Sequence, residues 1–152
     1  ALATFTGQNY GARQDSSIKE GFKTSTIIML TMSVILLIIM QIGGKAIVSL
    51  FVSDSAVIEM GAKGLKITSL FYAVLGMLYV PRGTQNGLGD ALFAFINGIV
   101  EVIARIILPA FLVAIPVLNV YGIWWSAGLV WFVSAVFCLM RYISFNKKHP
   151  ME

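Results

Sequence analysis

Cysteine, histidine and charged residues are scarce in this 152-residue sequence, and each scarcity excludes a class of function. Cys138 has no second cysteine to pair with, so no disulfide framework can form within the chain. The single histidine, His149, cannot build a histidine-rich metal site or a serine, histidine and acid arrangement. We therefore expect a protein that is not an enzyme, with no catalytic residues, no metal ligands and no cofactor.

The small proportion of charged residues indicates the environment of the chain. Charged residues make up 12% of the sequence and apolar residues 58%, whereas soluble domains carry about 25% and about 45–50% respectively. Mean hydropathy is +0.86. The net charge of +4 comes from basic residues scattered between apolar blocks, so nucleic acid is not a predicted partner. The composition predicts an all-α integral membrane protein whose surroundings are a lipid bilayer.

Long uncharged runs predict the first two membrane spans. Residues 24–44 carry no charge over 21 positions, which is enough for one crossing. Residues 45–66 are mixed in character and are predicted to be interfacial, and Ser53, Asp54 and Ser55 offer side-chain oxygens to the start of a new helix. The second span is predicted at about 64–80, and Pro81 is expected to end it.

The distal part of the chain is predicted to hold two further spans. Residues 106–140 contain no charge over 35 positions, and one helix of that length would measure about 52 Å against a hydrocarbon core of about 30 Å. We therefore expect spans at about 91–115 and 121–141. The residues that disfavour a continuous helix between them are Pro116, Asn119 and Gly122.

Basic residues outside the spans predict the orientation. Seven of them fall on one side of a four-span arrangement and three on the other. The first group is Arg13, Lys19, Lys23, Arg82, Arg141, Lys147 and Lys148, and the second is Lys45, Lys63 and Lys66. Because cytoplasmic loops are enriched in Lys and Arg, we expect the first group, and with it the C-terminus, to be cytoplasmic.

Three polar residues within the third span are the candidates for a cation or substrate pathway. Asn97, Glu101 and Arg105 are spaced four apart and therefore share one helix face, with the acid N-terminal to the base. Charges inside a membrane are costly and usually face a bundle interior or a wet cavity. Two interpretations stay open: a neutralised pair that fixes helix packing, or part of a cation or proton pathway.

The stretch "YVPRGTQNGLGD", residues 79–90, is the other dense polar patch. Its glycines allow tight backbone turns, and Asp90 could cap the next helix. It is predicted to be a structured cytoplasmic loop or a gating hinge, and it lacks the Gly-Lys-Ser/Thr ending of a phosphate loop. The gating candidates are Arg82, Gly83, Gly87 and Asp90.

The ordered set of motifs resembles one transporter family. The segments "ATFTGQNYGA", "LFVSD", "PRGTQNGLGD", "EVIAR" and "GIWWSAGLVWF" are similar, in order and spacing, to the C-terminal third of multidrug and toxic compound extrusion (MATE) transporters. The resemblance implies twelve spans in two six-helix lobes. It also implies that this chain is a C-terminal fragment holding the end of span eight and spans nine to twelve, with the first lobe absent.

The resemblance also implies a function. The expected activity is cation-coupled antiport, driven by H⁺ or Na⁺, that exports small organic cations across the cytoplasmic membrane. The chain is expected to do this together with the missing N-terminal part of the same transporter. The alternative is a flippase for lipid-linked oligosaccharide from the same superfamily. One sodium-coupled branch carries an aspartate in its tenth span, but Leu75 falls near that place here, so that cation ligand does not carry over.

The orientation can be tested by cysteine labelling of the full-length protein. Cysteines introduced at Ser55 and at Asn146 should react with a membrane-impermeant reagent from opposite faces, because the positive-inside count places them on opposite sides. Labelling of both positions from the same face would contradict the predicted topology.

Overall fold

In the computed structural model the backbone is described for residues 1–148 and the side chains for residues 1–144. The elements within this range are all helical: α1 (Leu2–Gly11), α2 (Asp15–Ser49), α3 (Ser55–Ser69), α4 (Tyr72–Gly87), α5 (Ala91–Val113), a 3-10 helix (Asn119–Tyr121) and α6 (Gly122–Lys148). The predicted all-α class is confirmed. His149, and the predicted cytoplasmic C-terminus, lie outside the described residues.

Three of these helices are long and apolar enough to cross a membrane, namely α2, α5 and the segment Asn119–Ser144. The described residues offer a fourth span if α3 and α4, which are bent by 50° at their junction, act as one crossing. At 35 residues, α2 is about 52 Å long and must extend beyond a core of about 30 Å. The predicted break at residues 116–122 lies between the end of α5 at Val113 and the start of α6 at Gly122.

The second span stays a prediction, but the structure differs from what was expected around it. The segment 64–80 is not one continuous helix, because α3 ends at Ser69. Pro81 does not end the helix either, because it lies buried inside α4, which continues to Gly87. A proline removes only its own N–H from the helix ladder, and membrane helices tolerate this where neighbouring helices surround them.

The junction between α3 and α4 is supported by polar side chains of α2. Gln41 Nε2 donates to the Lys66 carbonyl at 3.0 Å and to Ser69 Oγ at 3.1 Å. The buried Ser33 hydroxyl lies 2.7 Å from the Met29 carbonyl of its own helix and 3.0 Å from the Tyr72 carbonyl of α4. The Lys66 carbonyl belongs to the last turn of α3, where carbonyls lack partners in their own helix, so Gln41 provides a donor where water is absent from the bilayer.

Helix α4 lies at the centre of the bundle, in contact with α1, α2, α5 and α6. Its main apolar contact is with α6, where Leu78 packs against Ala135 and Cys138. By contrast, α5 leaves one apolar face uncovered, with residues such as Leu92, Phe95 and Ile106 well exposed. Because α4 contacts both α5 and α6, polar residues of these three helices lie close together where the helices meet.

Candidate functional site

The candidate site is the region where α4, α5 and α6 face one another. Arg141 Nε donates to Asp90 Oδ2 at 2.8 Å, and the rings of Phe93 and Phe137 are 4.9 Å apart. These contacts show that α5 and α6 run antiparallel, and the next turn of this register brings Asn97 opposite residues 133 and 134. Gln85 Nε2 of α4 donates to the Cys138 carbonyl at 2.9 Å, which fixes α4 against the same face of α6.

The centre of the site is a three-residue charge cluster, defined as Arg82, Glu101 and Arg105. Glu101 Oε1 accepts from Arg105 Nη2 at 2.7 Å, and Oε2 accepts from Arg82 Nη1 at 3.3 Å. Arg82 Nη2 also donates to the Ala94 carbonyl at 3.3 Å. The Glu101 side chain is 12% exposed, Arg82 24% and Arg105 51%. One largely buried carboxylate is therefore hydrogen-bonded to two guanidinium groups, one through each of its oxygens, and the cluster keeps one excess positive charge.

The spacing of Glu101 and Arg105 in the sequence predicts that they pair. It does not predict that Arg82 joins them. Sequence reasoning assigned Arg82 to a cytoplasmic loop and counted it as a topology determinant. The structure instead places it inside α4, paired across to Glu101 of α5. The signal that could have found it is a lone arginine immediately after an apolar run, because such a charge needs a buried partner.

Asn97 lies on the predicted face of α5 and is completely buried. Neither its amide nitrogen nor its amide oxygen has a hydrogen-bond partner among the described residues. The same holds for Gln85 Oε1, Trp131 Nε1 and Ser134 Oγ. The region next to the charge cluster therefore contains several buried polar atoms that no protein group satisfies.

The predicted gating loop is not a loop, because Arg82, Gly83 and Gly87 all lie within α4. The helix continues through them because this segment packs between α1 and α6 rather than facing water. Asp90 does occupy the N-cap position of α5, as predicted, but its carboxylate makes no capping hydrogen bond and instead accepts from Arg141.

Two of the three glycines of α4, Gly83 and Gly87, differ in their surroundings. A Cβ added at Gly87 would lie 2.5 Å from the Ala3 carbonyl oxygen and 2.5 Å from Thr6 Cβ, both on α1. A Cβ added at Gly83 would lie 3.6 Å from the nearest Leu2 atom, which is ordinary contact. Gly87 is therefore required for the close approach of α1 and α4, and Gly83 is not.

The remaining features of the described residues do not suggest a different site. No group of three or more His, Cys, Asp or Glu side chains within that part of the chain could hold a metal ion. A cavity of about 120 Å³ lies between α2, α4 and α6 and is lined mostly by apolar residues, including Met29, Leu30 and Leu139. It is smaller than the roughly 300 Å³ at which ligand pockets begin. Larger grooves, such as one of about 410 Å³ between α1 and α2 and one of about 340 Å³ beside Trp125, are open to the surface.

The glycine contacts predict a matched pair of substitutions. Gly87→Ala should lower the thermal stability of the purified protein, because α1 would have to shift away from α4. Gly83→Ala should leave stability unchanged or slightly higher, since alanine is the better helix former by about 1 kcal/mol. Equal stabilities of the two variants would show that α1 does not approach α4 this closely.

The charge cluster predicts an unequal rescue. Glu101→Gln should reduce the amount of folded protein, because removing one partner of a buried pair typically costs about 3–5 kcal/mol. Adding Arg82→Met should restore folded protein more fully than adding Arg105→Met, because Arg82 is the more buried cation. Fluorescence-detected size-exclusion chromatography of the three variants measures this, and better rescue by Arg105→Met would contradict the assignment.

Comparison with protein-family models matches residues 1–111 to the family described as MatE. Searches of curated proteins and of solved structures found no match. The matched segment covers more than half of the chain and contains all three residues of the charge cluster. Members of this family are multi-helix membrane transporters, which agrees with the long apolar helices observed here. The chain therefore belongs to the MatE family and is an integral membrane protein of the MATE transporter superfamily.

Proposed function

We propose that this protein acts in cation-coupled antiport, exporting small organic cations across the cytoplasmic membrane. The observation that carries the proposal is the MatE match over residues 1–111, which covers α1 to α4 and most of α5. The coupling ion in this proposal is H⁺ or Na⁺. The proposed partners are the surrounding lipid, the organic cation and an N-terminal lobe of the same transporter, and the proposed position of the C-terminus is cytoplasmic.

The contacts of Glu101 bear on how such coupling would work. Each carboxylate oxygen accepts a hydrogen bond from a guanidinium group, at 2.7 and 3.3 Å. A further cation at this carboxylate would be repelled by two positive charges close by. We therefore assign the charge cluster to holding α4 against α5, and we place the coupling ion and the organic cation at groups outside it. Asn97 is completely buried, so it does not contact substrate in this arrangement.

A flippase for lipid-linked oligosaccharide is the second candidate, and the charge cluster gives it some support. Such a protein needs cationic residues for a pyrophosphate group, and the sequence offered only Arg105 within the spans. Arg82 adds a second guanidinium at the same carboxylate, which leaves the cluster with one excess positive charge. Antiport stays first because both guanidinium groups are already bound to Glu101.

Transport by the full-length protein in proteoliposomes tests the proposal. An imposed H⁺ or Na⁺ gradient should drive movement of a fluorescent organic cation, and dissipating the gradient should abolish it. Because the charge cluster is assigned a packing role, the folded Glu101→Gln, Arg82→Met variant should keep the same ratio of coupling ion to substrate. Loss of gradient dependence in that variant would show that Glu101 takes part in coupling.

The same vesicles distinguish the second candidate. Translocation of a lipid-linked oligosaccharide, in the absence of any movement of organic cations, would overturn the antiport proposal. Empty vesicles and vesicles with heat-unfolded protein provide the controls for leak.

A further inference from the structure

Four side chains line the interior where α4, α5 and α6 meet, and they are named here the polar seam: Gln85, Asn97, Trp131 and Ser134. Gln85, Asn97 and Ser134 are at most 1% exposed. On α6, Trp131 and Ser134 lie on one face, and Cys138, whose carbonyl binds Gln85, lies one turn beyond Ser134. The antiparallel register of α5 and α6 brings Asn97 to the level of Ser134. The four side chains thus converge on one region.

Five polar atoms of the seam have no hydrogen-bond partner in the described part of the chain: Gln85 Oε1, Asn97 Oδ1, Asn97 Nδ2, Trp131 Nε1 and Ser134 Oγ. The buried Thr6 hydroxyl of α1 also has no partner, whereas two other buried hydroxyl groups bond to their own helices. The Thr84 hydroxyl donates to the Val80 carbonyl, and the Ser126 hydroxyl donates to the Ile123 carbonyl. Hydroxyl groups can bond to their own helix in this way, but an indole N–H and a second amide atom need a partner from elsewhere.

The chemistry of these atoms identifies the ligand. The seam presents two amide oxygens that only accept, an indole nitrogen that only donates, and an amide nitrogen and a hydroxyl that donate. A cation would leave the donors unsatisfied and would lie close to Arg82. An anion would face the two amide oxygens. Water both donates and accepts, and a buried water typically makes about three hydrogen bonds to such groups.

We propose that the polar seam is a binding site for ordered water molecules inside the α4, α5 and α6 bundle. Arg82 Nη2 bonds the Ala94 carbonyl, one turn before Asn97, so the bound water lies next to the charge cluster. Water in this position solvates the buried guanidinium and carboxylate groups from within the protein. The site is a property of the bundle and does not depend on which substrate the transporter carries.

Radiolytic labelling of the full-length protein in lipid bilayers tests this site. Brief X-ray exposure generates hydroxyl radicals from water in place, and Cys138, which is 0% exposed and a free thiol next to the seam, reports them. We expect Cys138 to be modified, and after rapid mixing with ¹⁸O water its label should change more slowly than that of residues at the protein surface. No modification of Cys138, or exchange as fast as bulk water, would overturn the proposal.

Matched variants make the test specific. Asn97→Leu replaces two of the unpartnered atoms with an apolar side chain of similar size, and it should lower Cys138 labelling several-fold. Ser126→Ala is the control, because it removes a buried hydroxyl of α6 that is already bonded to the Ile123 carbonyl. If Asn97→Leu does not fold, Ser134→Ala removes one of the unpartnered groups with little change in shape and should also lower labelling. Undiminished labelling in a folded Asn97→Leu or Ser134→Ala protein would refute the site.

Discussion

The arrangement of the distal helices depends on one carboxylate, Glu101, which holds a guanidinium group on each side. A charged side chain at mid-membrane costs about 2.5–3.5 kcal/mol on insertion scales, so Arg82 can lie inside α4 only because Glu101 faces it from α5. This pair sets α4 against α5. The bond from Gln85 to the Cys138 carbonyl and the pair of Asp90 with Arg141 then hold α6 against both helices.

A second constraint acts at the other side of α4, where the helical ladder stops between α3 and α4. Irregular backbone within a membrane must find its donors inside the protein. Gln41 of α2 supplies one to the last turn of α3, so the bend of 50° is stabilised by a neighbouring helix rather than by solvent. The close approach of α1 to Gly87 completes the packing around α4. Helix α4 is therefore fixed by polar contacts on two sides and by a small residue on a third.

In the proposed function, the charge cluster holds helices together and does not bind the coupling ion. Both oxygens of Glu101 are engaged by arginine, and Asn97 is completely buried. A transporter that moves one helix bundle against another needs bundles that stay intact. A buried charge cluster with adjacent water suits that requirement.

The sequence by itself determined the all-α membrane class, the helix break at residues 116–122, the cap at Asp54 and the pairing of Glu101 with Arg105, because hydropathy, proline and residue spacing act locally along the chain. It also carried the motifs that indicated the family. Only the tertiary structure decided that Pro81 continues a helix, that Asp90 pairs with Arg141 and that Arg82 reaches Glu101. These outcomes depend on which helix lies alongside, since a neighbouring helix can offset a local helix-breaking tendency and a charge takes the partner that packing brings within reach.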